Sequence, residues 1–210
     1  DYEYVCLLST TPNVLVVHPS LPVKSIKELI EFAKANPGKL TFGSAGIGSS
    51  LHLSGELFKM MAGVDMLHVP YKGGGAAVTE LLGGHISMQF ATVPSVIAHV
   101  RSGKLRALGL TSEKRSLSMP EIPTISESGL PGFDQSAWHG LFAPAGTPEP
   151  IIAKISKEVV RILKLPDIEK RFVTQGVDII ASSPEEFAAF IRKDVAKYEK
   201  LIKSANIRVE

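Results

Sequence analysis

Between residues 13 and 111, apolar runs of strand length take turns with segments of helical period. That alternation constrains the fold more than any other feature of the chain. Strands are expected at 13–19, 39–45, 66–71, 86–92 and 105–111, and helices at 25–38, 49–63, 75–84 and 94–103. A βαβα rhythm places apolar strands in a mostly parallel sheet with helices on its faces, which is an α/β fold. The helix boundaries carry their own signals. Ser25 and Glu28 have capping-box spacing, Ile26, Leu29, Ile30 and Ala33 form the apolar stripe, and Asn36-Pro37-Gly38 stops the helix. Leu53, Leu57, Met60 and Met61 mark a face of the helix at 49–63, with Gly63 past its end.

The rhythm then changes. Residues 116–134 are rich in Pro, Ser and Gly and read as a surface connection. An apolar strand is expected within 136–146. Thr147 is expected to cap a helix with Pro148 at its first position and Ile152, Ile155, Val159 and Ile162 as its stripe. Residues 165–182 read as a short helix, a glycine stop and a strand. Ser183, Pro184 and Glu186 open the last helix, whose face is Phe187, Phe190, Ile191, Val195, Tyr198 and Leu201. The helix-heavy tail argues for two lobes divided near residue 135.

Composition removes several function classes. With 210 residues, 44% hydrophobic and 21% charged, the chain has an ordinary globular balance. Its net charge of +2 comes from basic residues interleaved with acids, so nucleic acid is not an expected partner. The one cysteine, Cys6, forms no internal disulfide and reads as a small buried hydrophobe. No apolar run reaches the ~18 residues of a membrane span, and no signal peptide is visible at the start of this sequence.

The segment "LTFGSAGIGSSLHL", residues 40–53, runs from a strand through glycines into serines that open a helix. The first N–H groups of a helix lack internal partners and carry partial positive charge. Glycines ahead of them let an anion approach the backbone, and serines add donors. An ordinary turn with Ser49 or Ser50 as cap is the competing reading. A phosphate-binding P-loop counted from Gly43 reaches Gly48 but finds Ser49 where lysine is needed. The dinucleotide fingerprint matches at Gly46 and Gly48 but has Leu51 in place of its third glycine, and Asp65 precedes the next strand. Ser49 and His52 share a helix face, yet "GSSLH" is not a nucleophile elbow and no orienting acid accompanies it. An enzyme at the Ser49/Ser50–His52 junction is therefore the weaker alternative. His18, His52, His68, His85, His99 and His139 are spread singly over the chain, so each reads as structural and no metal or other cofactor is expected.

Two further strand ends add polar groups. "HVPYKGGGAAVTELLGG", residues 68–84, repeats the strand–glycine–helix junction with Tyr71 and Lys72 just before the glycines. "MQFATVPS", residues 88–95, contributes Gln89, Thr92 and Ser95. Ligands of open parallel sheets bind outside the carboxyl ends of the strands, so this edge is the expected site.

Taken in order, "TFGSAGIGSSLHLSGELFKMMAGVDMLHVPYKGGGAAVTELLGGHISMQF", "GKLRALGLTSEKRS", "PEIPTISESGLPGF" and "WHGLFAPAGTP" strongly resemble the substrate-binding proteins of tripartite tricarboxylate transporters, the Bug family of extracytoplasmic receptors. The resemblance runs over essentially the whole chain. It implies a type II periplasmic binding protein fold: two αβ lobes joined by a hinge of crossing strands, with a small carboxylate in the cleft and no catalytic residue. It implies a periplasmic location and a membrane permease as partner; reporting the ligand to a membrane partner as a sensor is the alternative. It assigns ligand binding to the loop Ser44, Ala45, Gly46, Ile47, Gly48, Ser49 and Ser50, with Tyr71, Gln89 and Thr92 beside it and Trp138 and His139 on the returning segment. Relative to the family, the expected division is a residual lobe-one segment at 1–12, lobe two at 13–134, and the C-terminal part of lobe one at 135–210. Family members carry a further N-terminal portion with a second carboxylate-binding loop that this sequence lacks. The helices at 148–164 and 184–204 would then leave apolar stripes uncovered, which predicts self-association.

Overall fold

The computed structural model describes residues 2–116, 119–205 and 207. Seven strands and seven helices are assigned among them. Strand β1 (Tyr2–Val17) is followed by helix α1 (Ile26–Ala35), β2 (Thr41–Ser44), α2 (Ser50–Ala62), β3 (Leu67–Pro70) and α3 (Gly74–Leu82). Then come β4 (Met88–Thr92), α4 (Val93–Arg101), β5 (Arg106–Leu110), β6 (Ser136–Pro144), α5 (Glu149–Leu163), α6 (Pro166–Thr174), β7 (Asp178–Ile179) and α7 (Pro184–Ser204). The α/β class expected from the alternation is what the chain adopts.

By its contacts the chain falls into two compact units. One takes Asp1–Thr11 and Ala137–Lys200, the other Pro12–Ser136 and Leu201–Glu210. The larger unit holds a sheet in the order β3-β2-β4-β1-β5. Strands β2 and β3 pair in parallel, as do β2 and β4, but β1 runs antiparallel to both β4 and β5. The expectation of a mostly parallel sheet is corrected at this point. A parallel neighbour is reached by a right-handed helical crossover, whereas β1 arrives without one, as the second half of a long strand.

Both faces of this sheet are covered. On one, Val14, Val16, Ala91 and Leu110 pack with Val78 and Leu81 of α3 and Val93 and Val96 of α4. On the other, α2 lies so close that a Cβ at Gly55 would overlap the Phe42 ring, and Phe58 packs on Phe90 and Phe133. Asn13, at the head of the paired part of β1, lies opposite Thr92 at the end of β4. The carboxyl ends of β2, β3 and β4 therefore meet the amino end of that stretch along one edge.

In the smaller unit, Ser9 and Thr10 of β1 pair with Ile179 and Asp178 of β7, and β6 pairs with β1 as well. Its core joins an apolar cluster of Val5, Cys6, Ala143 and Ile152 to an aromatic one. Phe187 is fully buried and meets Tyr4, Trp138 and Phe142. A Cβ at Gly140 would overlap that same Phe187 ring.

Most helix starts follow their sequence signals. The Glu28 amide donates to Ser25 Oγ at 3.2 Å, while the Glu28 carboxylate accepts from the Lys24 amide at 2.8 Å. Ser183 and Glu186 cap each other reciprocally at 3.2 and 2.8 Å. Four details differ from expectation. On α2, Met60 of the expected face is exposed, while Phe58 is fully buried. Thr147 is not a cap: its hydroxyl turns back to the Pro144 carbonyl at 2.7 Å, and α5 begins after Pro148. The buried line of α5 runs through Ile152, Ser156 and Leu163, leaving Ile155 and Ile162 exposed. On α7 it is Asp194, not Val195, that faces inward, accepting from Trp138 Nε1–H at 2.9 Å and pairing with Lys197 Nζ at 2.7 Å.

Candidate functional site: the glycine-serine loop

The five residues between β2 and α2 form a closed turn. Gly46 and Gly48 take φ of +123° and +78°, a region that L side chains rarely adopt. The Gly46 carbonyl gathers three donors: Ser49 N–H at 3.3 Å, Ser49 Oγ–H at 2.7 Å and Ser44 Oγ–H at 3.1 Å. The Gly46 amide in turn donates to Ser44 Oγ at 3.1 Å. Ser49 is the N-cap of α2, accepting from the His52 amide at 3.3 Å. Two of the three serines are therefore committed to building the loop, and Ser44 is fully buried. The donors left over are backbone ones. Among the described residues, the first-turn amides of Ser50 and Leu51 have no protein acceptor. They are what the positive end of α2 presents to an anion.

Beneath the loop lies a stack of rings. His52, on the first turn of α2, and His68, on β3, overlap at a centroid distance of 3.9 Å and 19° between planes. Phe42 continues the stack at 4.9 Å from His68. Each histidine also grips the loop. His52 Nδ1 accepts from the Gly48 amide at 3.1 Å, and His68 Nε2 stands 2.7 Å from Ser44 Oγ. Burial, the neighbouring His52 and Lys59 hold the His68 pKa down at about 4. His52 is lowered as well, chiefly by burial and further by Lys59, against the opposing pull of Glu56. Both rings are therefore neutral near pH 7. The expectation of six unconnected histidines fails for this pair, because the register that puts Phe42 beside His68 brings distant residues into one stack. Among the described residues no cluster of metal-ligating side chains occurs.

A family model described as "TctC: Tripartite tricarboxylate transporter family receptor" matches residues 1–207. The chain belongs to that receptor family. It is similar to the protein BugT of Bordetella pertussis, at 34% identity over all of this chain and 64% of BugT. Among solved structures it is similar to Rpa4515 of R. palustris, solved with adipate, with a TM-score of 0.83 and 33% identity over 99% of this chain and 69% of that one. It is likewise similar to MatC of Rhodopseudomonas palustris, solved with bound malate, with a TM-score of 0.77 and 30% identity over 96% and 69% of the two chains. The chain spans about 60% of the length of the curated relatives it matches. It is also similar to the periplasmic binding protein BugD, with a TM-score of 0.78 and 32% identity over 100% of this chain and 71% of that one, and no described helix of this chain is long and apolar enough to cross a membrane.

The other expected site residues fall in different places. In the larger unit of this receptor chain, Ala45 and Gly46 are half-buried and Ile47 and Gly48 are exposed. Tyr71 follows β3, its amide donating to the Ser44 carbonyl at 3.1 Å and its half-buried ring packing on the α3/α4 face. Burial and Glu80 raise its phenol pKa. Gln89 is fully buried; its Nε2 donates to the Gly74 carbonyl at 3.1 Å, while Oε1 has no partner. Thr92 is exposed and donates to Ser95 Oγ at 3.1 Å. Trp138 and His139 belong to the smaller unit, where Trp138 bonds Asp194 and His139 Nδ1 stands 3.5 Å from Ser9 Oγ. Sequence reasoning missed Asn13. Its Nδ2 donates to Ser54 Oγ at 3.4 Å, and its buried Oδ1 is without a partner. Because Ser54 Oγ–H is given to the Ser50 carbonyl at 2.8 Å, Ser54 can only accept from Asn13, which fixes the amide's orientation.

Proposed function

We propose that this chain captures a small carboxylate at the glycine-serine loop and hands it, unchanged, to a membrane permease. The observation that carries this reading is the pair of free first-turn amides on Ser50 and Leu51, beneath a turn opened by two positive-φ glycines. Amides aimed at a carboxylate make charge-assisted bonds of about 1.5–3 kcal/mol each. The adipate and malate held by the two structurally similar proteins favour small dicarboxylates as the substrate class. Tyr71, Gln89 and Thr92 stand on the same sheet edge and are the nearest candidates to shape the rest of the site.

The wiring of the loop speaks for binding without bond breaking. Ser49 gives its proton to the Gly46 carbonyl, and His52 Nδ1 is occupied by the Gly48 amide. The serine is thus not coupled to the imidazole that would have to act as its base. Calorimetric titration with malate and adipate at pH 7.5 tests the proposal. Binding of at least one is expected, weakened about tenfold or more by Gly48→Val, which displaces the turn that carries the amides. A variant with intact far-UV CD and unaltered affinity would remove the loop from the site.

A further inference from the structure

The histidine stack is the feature of this unit that ligand binding alone does not require. Serine and glycine would suffice to close an anion-binding turn, yet two aromatic bases, His52 buried and His68 half-buried, are built beneath it. Their contacts are selective. His52 Nδ1 holds the amide of Gly48, the second positive-φ glycine, and His68 Nε2 holds Ser44, whose hydroxyl serves both the carbonyl and the amide of Gly46. Between them the rings reach both glycines that shape the turn.

We propose that His52 and His68 are positioning residues that hold the glycine-serine loop in its anion-binding shape only while both rings are neutral, so that capture is acid-labile. This rests on the carboxylate-binding reading above. Protonation of His52 at Nδ1 replaces the acceptor of the Gly48 amide with a second N–H, and that bond is lost. Protonation of His68 sets a cation face to face with His52 at 3.9 Å. The charged groups facing the pair come from α2. Glu56 Oε1 lies 3.8 Å from His52 Nε2, and it is shared with Lys59 Nζ at 3.1 Å, so its attraction for an imidazolium is partly spent. From β2 the pair meets the Phe42 ring and the Ser44 hydroxyl. Burial therefore keeps both rings neutral at pH 7, and the pressure to protonate builds below the ordinary histidine range.

The test uses two measurements on the same chain. In ligand-free protein, 15N NMR across pH 7.5 to 4 should show both rings titrating below the ordinary histidine range, with the Gly46 and Gly48 amide resonances moving in step with the ring nitrogens. Titration of either ring near 6.5, or glycine amides that ignore the rings, would overturn the proposal. Malate and adipate affinities are then compared at pH 7.5 and 4.5. His52→Ala with His68→Ala should lose binding at both values. His52→Asn with His68→Gln keeps an acceptor for Gly48 and a partner for Ser44 but cannot titrate, and should restore most of it. Because ligand protonation is common to both proteins, the wild type should lose about tenfold more affinity on acidification than this pair variant. Parallel losses would sink the idea, and the single variant His68→Gln answers the same question if the pair does not fold. If neither dicarboxylate binds at pH 7.5, the functional reading fails while the NMR arm still decides whether the rings govern the loop.

Discussion

The larger unit contains two strand–glycine–helix junctions that look alike as sequence and are built differently. The first, between β2 and α2, has the serine cap Ser49, whose side chain bonds the helix, with His52 tied to Gly48 and His68 tied to Ser44. The second, between β3 and α3, is capped by Gly73 with φ +110° and no side-chain bond. Its side-chain ties are Gln89 Nε2 to the Gly74 carbonyl and Thr79 Oγ1 to the Gly75 carbonyl. Glycines at a strand end therefore do not by themselves specify one local architecture. What separates the two is the side-chain frame that fixes where the amides point.

The largest test of that contrast is steric. Gly55→Ala drives a methyl into the Phe42 ring, the far member of the histidine stack, and should cost about 2–3 kcal/mol in urea unfolding. A cost near zero would mean that the stack yields easily and braces nothing. Ser49→Ala removes the cap of α2 and a bond to Gly46 together, for an expected loss of about 1–2 kcal/mol. The same method applied to Thr92→Ala, at a helix start where no side-chain cap bond exists, should give about 0.5 kcal/mol or less. Gly75→Ala, in the first turn of α3 with open space around it, should raise stability by about 0.5 kcal/mol, since only chain entropy changes there. If it destabilised instead, the second junction would be as tightly specified as the first.

Acidity gives the smallest effect near neutrality, and its sign is set by His68. Its pKa is about 4 in the folded chain against an ordinary 6.5. Between those values the unfolded chain binds a proton that the folded chain refuses, so stability is full above 6.5 and falls as pH drops towards 4. Urea midpoints at pH 7.5, 5.5 and 4.5 should fall more steeply for the wild type than for His68→Gln. An equal fall would assign the acid sensitivity to other groups.

Much of this architecture was legible in the chain. The Ser25 cap and the Ser183–Glu186 capping box sit where their spacing predicts, because a cap is satisfied within one turn of its own helix. The turn at 44–50 was legible as a strand–glycine–helix junction for the same reason: glycines and a helix start are local signals. The roles within it were not. Ser44 and Ser49 read as ligand donors, and the structure spends their hydroxyls on Gly46. The stripe of α5 was misread because Ile155 and Ile162 share a helical period with true core positions, and only the packed neighbours choose which face is covered.

Local periodicity and capping chemistry, then, determined the type and order of the elements, and with them the edge where a ligand would be sought. The tertiary structure alone decided the antiparallel direction of β1 within that sheet, the burial of Asn13 and Gln89 at its edge, and the meeting of His52 with His68. The reason is one of range. A cap or an amphipathic stripe is settled by residues three or four apart, whereas Ser44 and His68 are 24 positions apart and meet only because β2 and β3 pair in parallel at that register.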